Sequence, residues 1–183
     1  GGEFLQPFEV TVAVARGAAT ALTVDGAAVA ADAFSPSPVS ASKAVSGGTV
    51  YVGYGIVRKA AKGQKAIDDY KGKSVKGKIV VVRRFAPDGL SKPDAARLSD
   101  LSFKAMQARQ RGAIGMVVVD LPAPGKTEAA LPRLAPHDGA DAGLPVVIVT
   151  TAIGQPLTTG KHQVALTVQL DDVKATTHNV VGV

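Results

Sequence analysis

Three short aliphatic runs constrain this chain more than any other feature: Ile79-Val80-Val81-Val82, Ile114-Gly115-Met116-Val117-Val118-Val119 and Val146-Val147-Ile148-Val149. Each is too short for a helix and rich in β-branched residues, so each reads as a strand buried on both faces. Strands of that kind belong in the middle of a layered α/β domain. Between the first two runs lies a helical pattern. Leu98, Leu101, Ala105 and Ala108 share one face. Ser99 or Asp100 can cap the start, Arg109 and Arg111 suit the negative end of the helix dipole, and Gly112 takes the stop position. Strand 79–84, helix 99–111 and strand 114–119 are therefore expected to form a βαβ unit with parallel strands.

Around this unit the pattern is mostly strand and turn. Phe8–Val14 alternates with the two-residue period of a half-buried strand, and Thr20–Val24 makes another, ended by the turn signal Asp25-Gly26. Residues 34–48 are rich in Pro, Ser and Gly and read as an exposed surface loop. Thr49–Ile56 reads as a strand whose glycines admit a close neighbour. Gly72 and Gly77 suit tight turns in the polar approach to Ile79. Residues 121–145, with five prolines, read as a long loop. Thr150 or Thr151 can cap a short helix through Leu157, Gln163–Leu170 alternates as a strand, and Thr177–Val183 begins one more.

The 183 residues suit one domain. Hydrophobic residues make up 46% but aromatics only 4%, with no Trp, so the core must be built from Val, Ala, Leu and Ile. The absence of cysteine excludes disulfides, thiolate zinc sites and cysteine nucleophiles. No apolar run approaches the ~20 residues of a membrane span. The start, Gly1-Gly2-Glu3-Phe4, lacks Met, and the chain is expected to be a piece of a longer protein. The net charge of +6 gathers at Arg58–Lys78, Arg83-Arg84 and Arg109–Arg111. No aromatic residues interleave with these charges and no recognition-helix pattern appears, so they read as a solvated face rather than a nucleic-acid surface.

Residues able to carry chemistry are few. The histidines are His137, His162 and His178, with no His-x-x-x-His pair. His137-Asp138, with Asp141 close by, lies in a Pro- and Gly-rich loop that would hold a site poorly. His162 is expected to be exposed, and His178 structural or exposed. Asp68-Asp69 invites a paired-carboxylate reading, but neighbours in an extended segment point apart, so turn formation or capping is expected. There is no Gly-x-Ser-x-Gly elbow, and Gly72 and Gly77 precede a strand instead of joining a strand to a helix as a phosphate loop would. No catalytic, cofactor-binding or metal residue is assigned in this chain.

Several landmarks, in order, resemble the protease-associated (PA) domain, in the form inserted into bacterial di-zinc aminopeptidases related to transferrin receptor and glutamate carboxypeptidase. They are Val52-Gly53-Tyr54-Gly55-Ile56; Asp68-Asp69-Tyr70 with Val75-Lys76-Gly77-Lys78-Ile79-Val80-Val81-Val82-Arg83; Lys104-Ala105, Ala108 and Gly112-Ala113-Ile114-Gly115; and Leu144-Pro145-Val146-Val147-Ile148-Val149. The flanks Gln6-Pro7-Phe8-Glu9 and Thr177-His178-Asn179-Val180-Val181-Gly182 resemble the segments where the peptidase fold leaves and resumes. Ile67 departs from the Tyr common at that position.

The resemblance implies an α/β domain of mixed α+β character: a β-rich mixed sheet or open barrel, flanked by one main helix at about 99–111 and one or two short ones. It implies a flanking segment at 1–16, the PA domain at 17–175, and at 176–183 the strand resuming the catalytic domain. It also implies a non-catalytic lid or protein-interaction module whose partners are the parent peptidase's catalytic domain and a peptide or protein substrate. The two zinc ions would lie in that catalytic domain, and the location would be secreted, periplasmic or at the cell envelope. The exposed loops 34–48 and 121–145 are the expected contact regions. The alternatives are a different host, such as a subtilisin-like protease, an enzyme using His137 and Asp138, and an anion-binding module using the basic residues.

Overall fold

Alternation within the three aliphatic runs sets two cores back to back. Val80, Val82, Met116, Val118, Val146 and Ile148 pack on one side with Ala105 and Ala108. Ile79, Val81, Val117, Val119, Val147 and Val149 pack on the other with Leu22, Phe34, Leu157, Val164 and Leu166. Successive side chains of a strand point to opposite faces, so a strand with both faces covered must be apolar at every position.

In the computed structural model, residues 4–60, 65–136 and 140–181 are described, the strand ends 4–8 and 177–181 by backbone alone. The strands are β1 (Phe4–Arg16), β2 (Ala21–Val24), β3 (Ala27–Ala28), β4 (Phe34–Pro36), β5 (Ala44–Tyr51), β6 (Val57–Arg58), β7 (Ile67–Asp68) and β8 (Ile79–Arg83). Helices α1 (Lys92–Ser99) and α2 (Leu101–Gln110) follow, then β9 (Gly115–Val119), β10 (Val146–Val149) and α3 (Thr151–Gly154). A 3-10 turn at Pro156–Thr158 leads to β11 (Gln163–Thr167) and β12 (Leu170–Val181). Eight strands form one mixed sheet in the order β3-β2-β11-β5-β8-β9-β10-β4. Its centre, β5-β8-β9-β10, is parallel, as expected for the βαβ unit. The fold is thus the β-rich α/β domain that the sequence implied, with three short helices among the described residues.

Four expectations need correction. Residues 34–48 are not an exposed loop: Phe34, Pro36, Ser37 and Val39–Ala41 are buried. The segment runs along β10, where Ser37 N donates to Val146 O (2.9 Å) and Ser40 Oγ accepts from Val146 N (2.8 Å). The Ser40 hydroxyl thereby serves a backbone amide that a regular strand would have paired. Second, the strand expected at 49–56 is β5, from Ala44 to Tyr51. Gly53 and Gly55 then turn the chain with φ of 62° and 69°. A Cβ on Gly55 would lie 2.7 Å from Val82 Cγ1, so that turn tolerates only glycine. Third, the expected helix is present as α2, capped by Asp100, which accepts from Phe103 N at 2.7 Å, but a helix that was not expected, α1, precedes it and carries Leu98; Asp100, with φ −62° and ψ 127°, separates the two. Fourth, the final strand begins at Leu170 rather than Thr177. It pairs antiparallel with β1 over its length, from Arg16↔Leu170 to Phe4↔Val181, in a two-stranded ribbon.

Candidate functional site

The loops that follow β5, β8, β9 and β10 gather at the carboxyl ends of the parallel strands. In open α/β sheets that edge is where ligands are met, because the loops there diverge around a crevice. Here they enclose a cleft of about 400 Å³ lined by Tyr54, Arg83, Arg84, Phe85, Asp120 and the segment Leu121–Ala129.

One buried lysine holds the backbone of two residues that line the cleft. Lys104 projects from the face of α2 that carries Ala105 and Ala108, and it is 0% exposed. Its Nζ donates to the carbonyl oxygens of Arg83 and Phe85, at 2.6 Å each. These two bonds hold the chain as it leaves β8, where no further ladder pairing is available to those carbonyls. Burial pulls Lys104 down to about 7; Asp69 opposes that shift and Arg83 adds to it. Asp69 braces the neighbouring turn by accepting from Ile56 N at 3.0 Å. Its carboxyl is held above the usual range by burial, against the lowering effect of its backbone donors.

The walls are held by arginines. Arg83 donates through Nη2 to Leu121 O (2.6 Å) and lies over the Tyr54 ring at 4.8 Å. Arg84 donates to Ala129 O (3.2 Å) and Ala130 O (2.8 Å) and lies over Phe85 at 5.2 Å. Phe85 itself is 48% exposed. Among the described residues neither arginine has a carboxylate within 4.0 Å. The loop from Leu121 is tied further by Asp120, whose Oδ2 accepts from Ala129 N (2.7 Å), and by Glu128, whose Oε1 accepts from Thr151 N (2.7 Å). Glu128 therefore supplies the cap that Thr150 does not: Thr150 occupies the N-cap position of α3 without a side-chain capping bond. The cleft offers cations and an aromatic surface. Such a set can grip an extended chain, and no paired nucleophile and base is seen among the described residues lining it.

The residues singled out from sequence are dispersed. Asp68 and Asp69 point apart as expected: Asp68 Oδ1 accepts from Tyr70 N (3.1 Å), while Asp69 turns to Ile56. His162 sits at the other side of the sheet edge, with Nδ1 2.7 Å from Asp25 Oδ2 and Nε2 2.9 Å from Thr159 O. Asp141 is exposed and closes a local turn onto Gly143 N (2.6 Å). His178 lies in β12 opposite Pro7. His137 and Asp138 fall outside the described residues. Among the described residues, no group of three His, Asp or Glu side chains is placed to hold a metal ion. Sequence reasoning missed Lys104, Arg83 and Asp120 as site builders. The one available signal was Lys104, a cation beside the apolar stripe of its helix.

An α/β domain with a parallel centre, a fringe of antiparallel strands and a cleft at its strand ends is the class these elements define. The model of the PA domain family matches residues 45–157. The chain belongs to the PA domain family. Among solved structures it is similar to an aminopeptidase from Aneurinibacillus sp. strain AM-1, with 21% identity and a TM-score of 0.57 over 98% of this chain and 37% of that one. It is also similar to BSAP, a zinc aminopeptidase from Bacillus subtilis, with 18% identity and a TM-score of 0.57 over 98% of this chain and 36% of that one. The chain thus spans little more than a third of the length of either structure. No curated protein sequence gives a match.

Proposed function

We propose that this chain is a non-catalytic PA domain of a zinc-dependent aminopeptidase, acting as a wall or lid that restricts access to the metal site and helps to position the peptide. The observation that carries this reading is the β1–β12 ribbon. It brings Phe4 opposite Val181, so both chain ends leave the domain side by side. An insertion into a host fold requires that arrangement, because it must not separate the host's flanking segments. On this reading residues 1–16 and 176–183 belong to the host junction and 17–175 to the PA domain. Zinc would be held by host residues outside this chain, and the protein would be secreted or attached to the cell envelope.

The likeness in fold to two aminopeptidases over nearly the whole chain supports this host, and the cleft lined by Arg83, Phe85 and Leu121 is the surface we assign to contact with substrate or host. The test is made in the longer protein. Removing residues 17–169 while keeping the ribbon joined by a short turn should leave zinc content unchanged. It should shift the ratio of kcat/KM between a long peptide and an aminoacyl chromogenic substrate. An unchanged ratio, or a gene with no metal-ligand motifs beyond Val183, would overturn the proposal.

A further inference from the structure

A second concavity lies at the opposite end of the sheet, at the amino ends of β8 and β9. It measures about 380 Å³ and is lined by Asp68, Tyr70, Lys73, Ser74, Lys76 and Arg111 around the buried Val75. Three cations face one carboxylate there. Lys73 and Lys76 come from one turn segment and Arg111 from the distant end of α2, which the tertiary structure brings beside them.

The scaffold beneath them is stiff. Lys73 N donates to Tyr70 O (2.9 Å) and Lys78 N to Val75 O (3.0 Å), which closes successive turns. Gly77 N donates to Gly112 O (2.8 Å) and Ile114 N to Lys78 O (2.9 Å), which ties the turns to the end of α2. Arg111 is held in one pose. Its guanidinium lies over the Tyr70 ring at 4.6 Å, and Nη1 donates to Gln107 O (2.8 Å) and Gln107 Oε1 (2.9 Å). Nε and Nη2 make no hydrogen bond with a described residue. Among the described residues none of Lys73, Lys76 and Arg111 has a carboxylate within 4.0 Å. The one carboxylate in the lining, Asp68, is engaged by Tyr70 N (3.1 Å).

We propose that this pocket binds a tetrahedral oxyanion, the phosphate of a monoester or a sulfate group. A guanidinium already fixed by stacking and by one of its nitrogens keeps a donor edge for two oxygens of the anion, and little freedom is lost when it binds. Lys73 and Lys76 supply charge and further donors, and the Ser74 hydroxyl adds a neutral donor. The site is separate from the cleft at the carboxyl ends of the strands. The competing account is that these cations only complement the negative end of the α2 dipole, which predicts no selectivity among anions.

The chain is titrated with sodium phosphate and, separately, with sodium sulfate, sodium acetate and sodium chloride at matched ionic strength and pH 7, and followed by 15N NMR. Phosphate and sulfate are expected to give saturable shifts at the amides of Lys73–Gly77 and Arg111–Ala113 and at Arg111 Nε–H. Arg111→Gln, and separately the double variant Lys73→Gln/Lys76→Gln, should each weaken phosphate binding about tenfold, the cost of one charge-assisted contact. Asp68→Asn should tighten it. Equal shifts with chloride, acetate binding as tight as phosphate, or phosphate binding unaltered in both cation variants would each overturn the proposal.

Discussion

Lys104 Nζ stands 2.6 Å from the carbonyl oxygen of Arg83, and the same ammonium reaches Phe85 O at the same distance. One side chain of α2 thus fixes the backbone at the exit of β8. Burial draws Lys104 from its ordinary 10.5 to about 7. The sign follows directly. Between those values the unfolded chain binds a proton that the folded chain does not, so stability rises with pH by up to about 1.4 kcal/mol per unit across that window. Lys104→Met should remove this rise and, by leaving two carbonyls unpaired, lower stability by roughly 1–3 kcal/mol. Urea unfolding of both proteins at pH 6.5, 8 and 9.5 checks this.

His162 and Asp25 titrate the other way. The Asp25 carboxylate holds His162 above its ordinary 6.5, and His162 holds Asp25 below 3.8. With both ring nitrogens facing acceptors, only the imidazolium satisfies Asp25 and Thr159 together. The clasp is therefore at full strength below about pH 6.5 and is lost as pH rises through the raised His162 value. In acid it is lost again as Asp25 protonates through its lowered value. Asp25→Asn should return the His162 titration midpoint, read by NMR of the ring protons, towards 6.5. An unmoved midpoint would contradict the pairing.

Glu128 reaches from the long loop to cap α3 at Thr151 N. Replacing it with Ala should cost about 1 kcal/mol, as the loss of a helix cap does, and Gln should recover much of that through its own carbonyl oxygen. Thermal unfolding of the two variants reads the difference.

Gly154 lies where α3 meets β9. A Cβ there would overlap the Val119 side chain and stand 2.9 Å from Val149 Cγ2. Gly154→Ala should destabilise by about 1–3 kcal/mol through overpacking, despite alanine's better helix propensity. An unchanged denaturation midpoint would show that the helix can lift without cost.

Phe85, 48% exposed, is expected to matter for contact and not for folding. Phe85→Ala should leave stability within about 0.5 kcal/mol of the parent chain. In the longer protein it should alter turnover of long peptides more than of short ones.

The parallel core was legible because burial on both faces leaves an aliphatic run, and nothing else in the chain looks like the three runs at 79–82, 114–119 and 146–149. The α2 cap, the Gly112 stop and the separation of Asp68 from Asp69 were legible too, since each depends on residues a few positions apart. The buried edge at Phe34–Ala41 was not, because its Ser and Pro residues carry loop chemistry and only their partners Leu144 and Val146–Val149 give them strand-like bonds.

Local order thus determined the class of fold and, through a series of weak motifs in sequence order, the family. Tertiary structure alone decided the sites. The carboxyl-end cleft exists because strand order places Tyr54, Arg83 and Leu121 side by side, and the basic pocket exists because the end of α2 returns Arg111 to Lys73 and Lys76. Strand order and helix docking are set by the sum of many apolar contacts, which no single stretch of sequence contains.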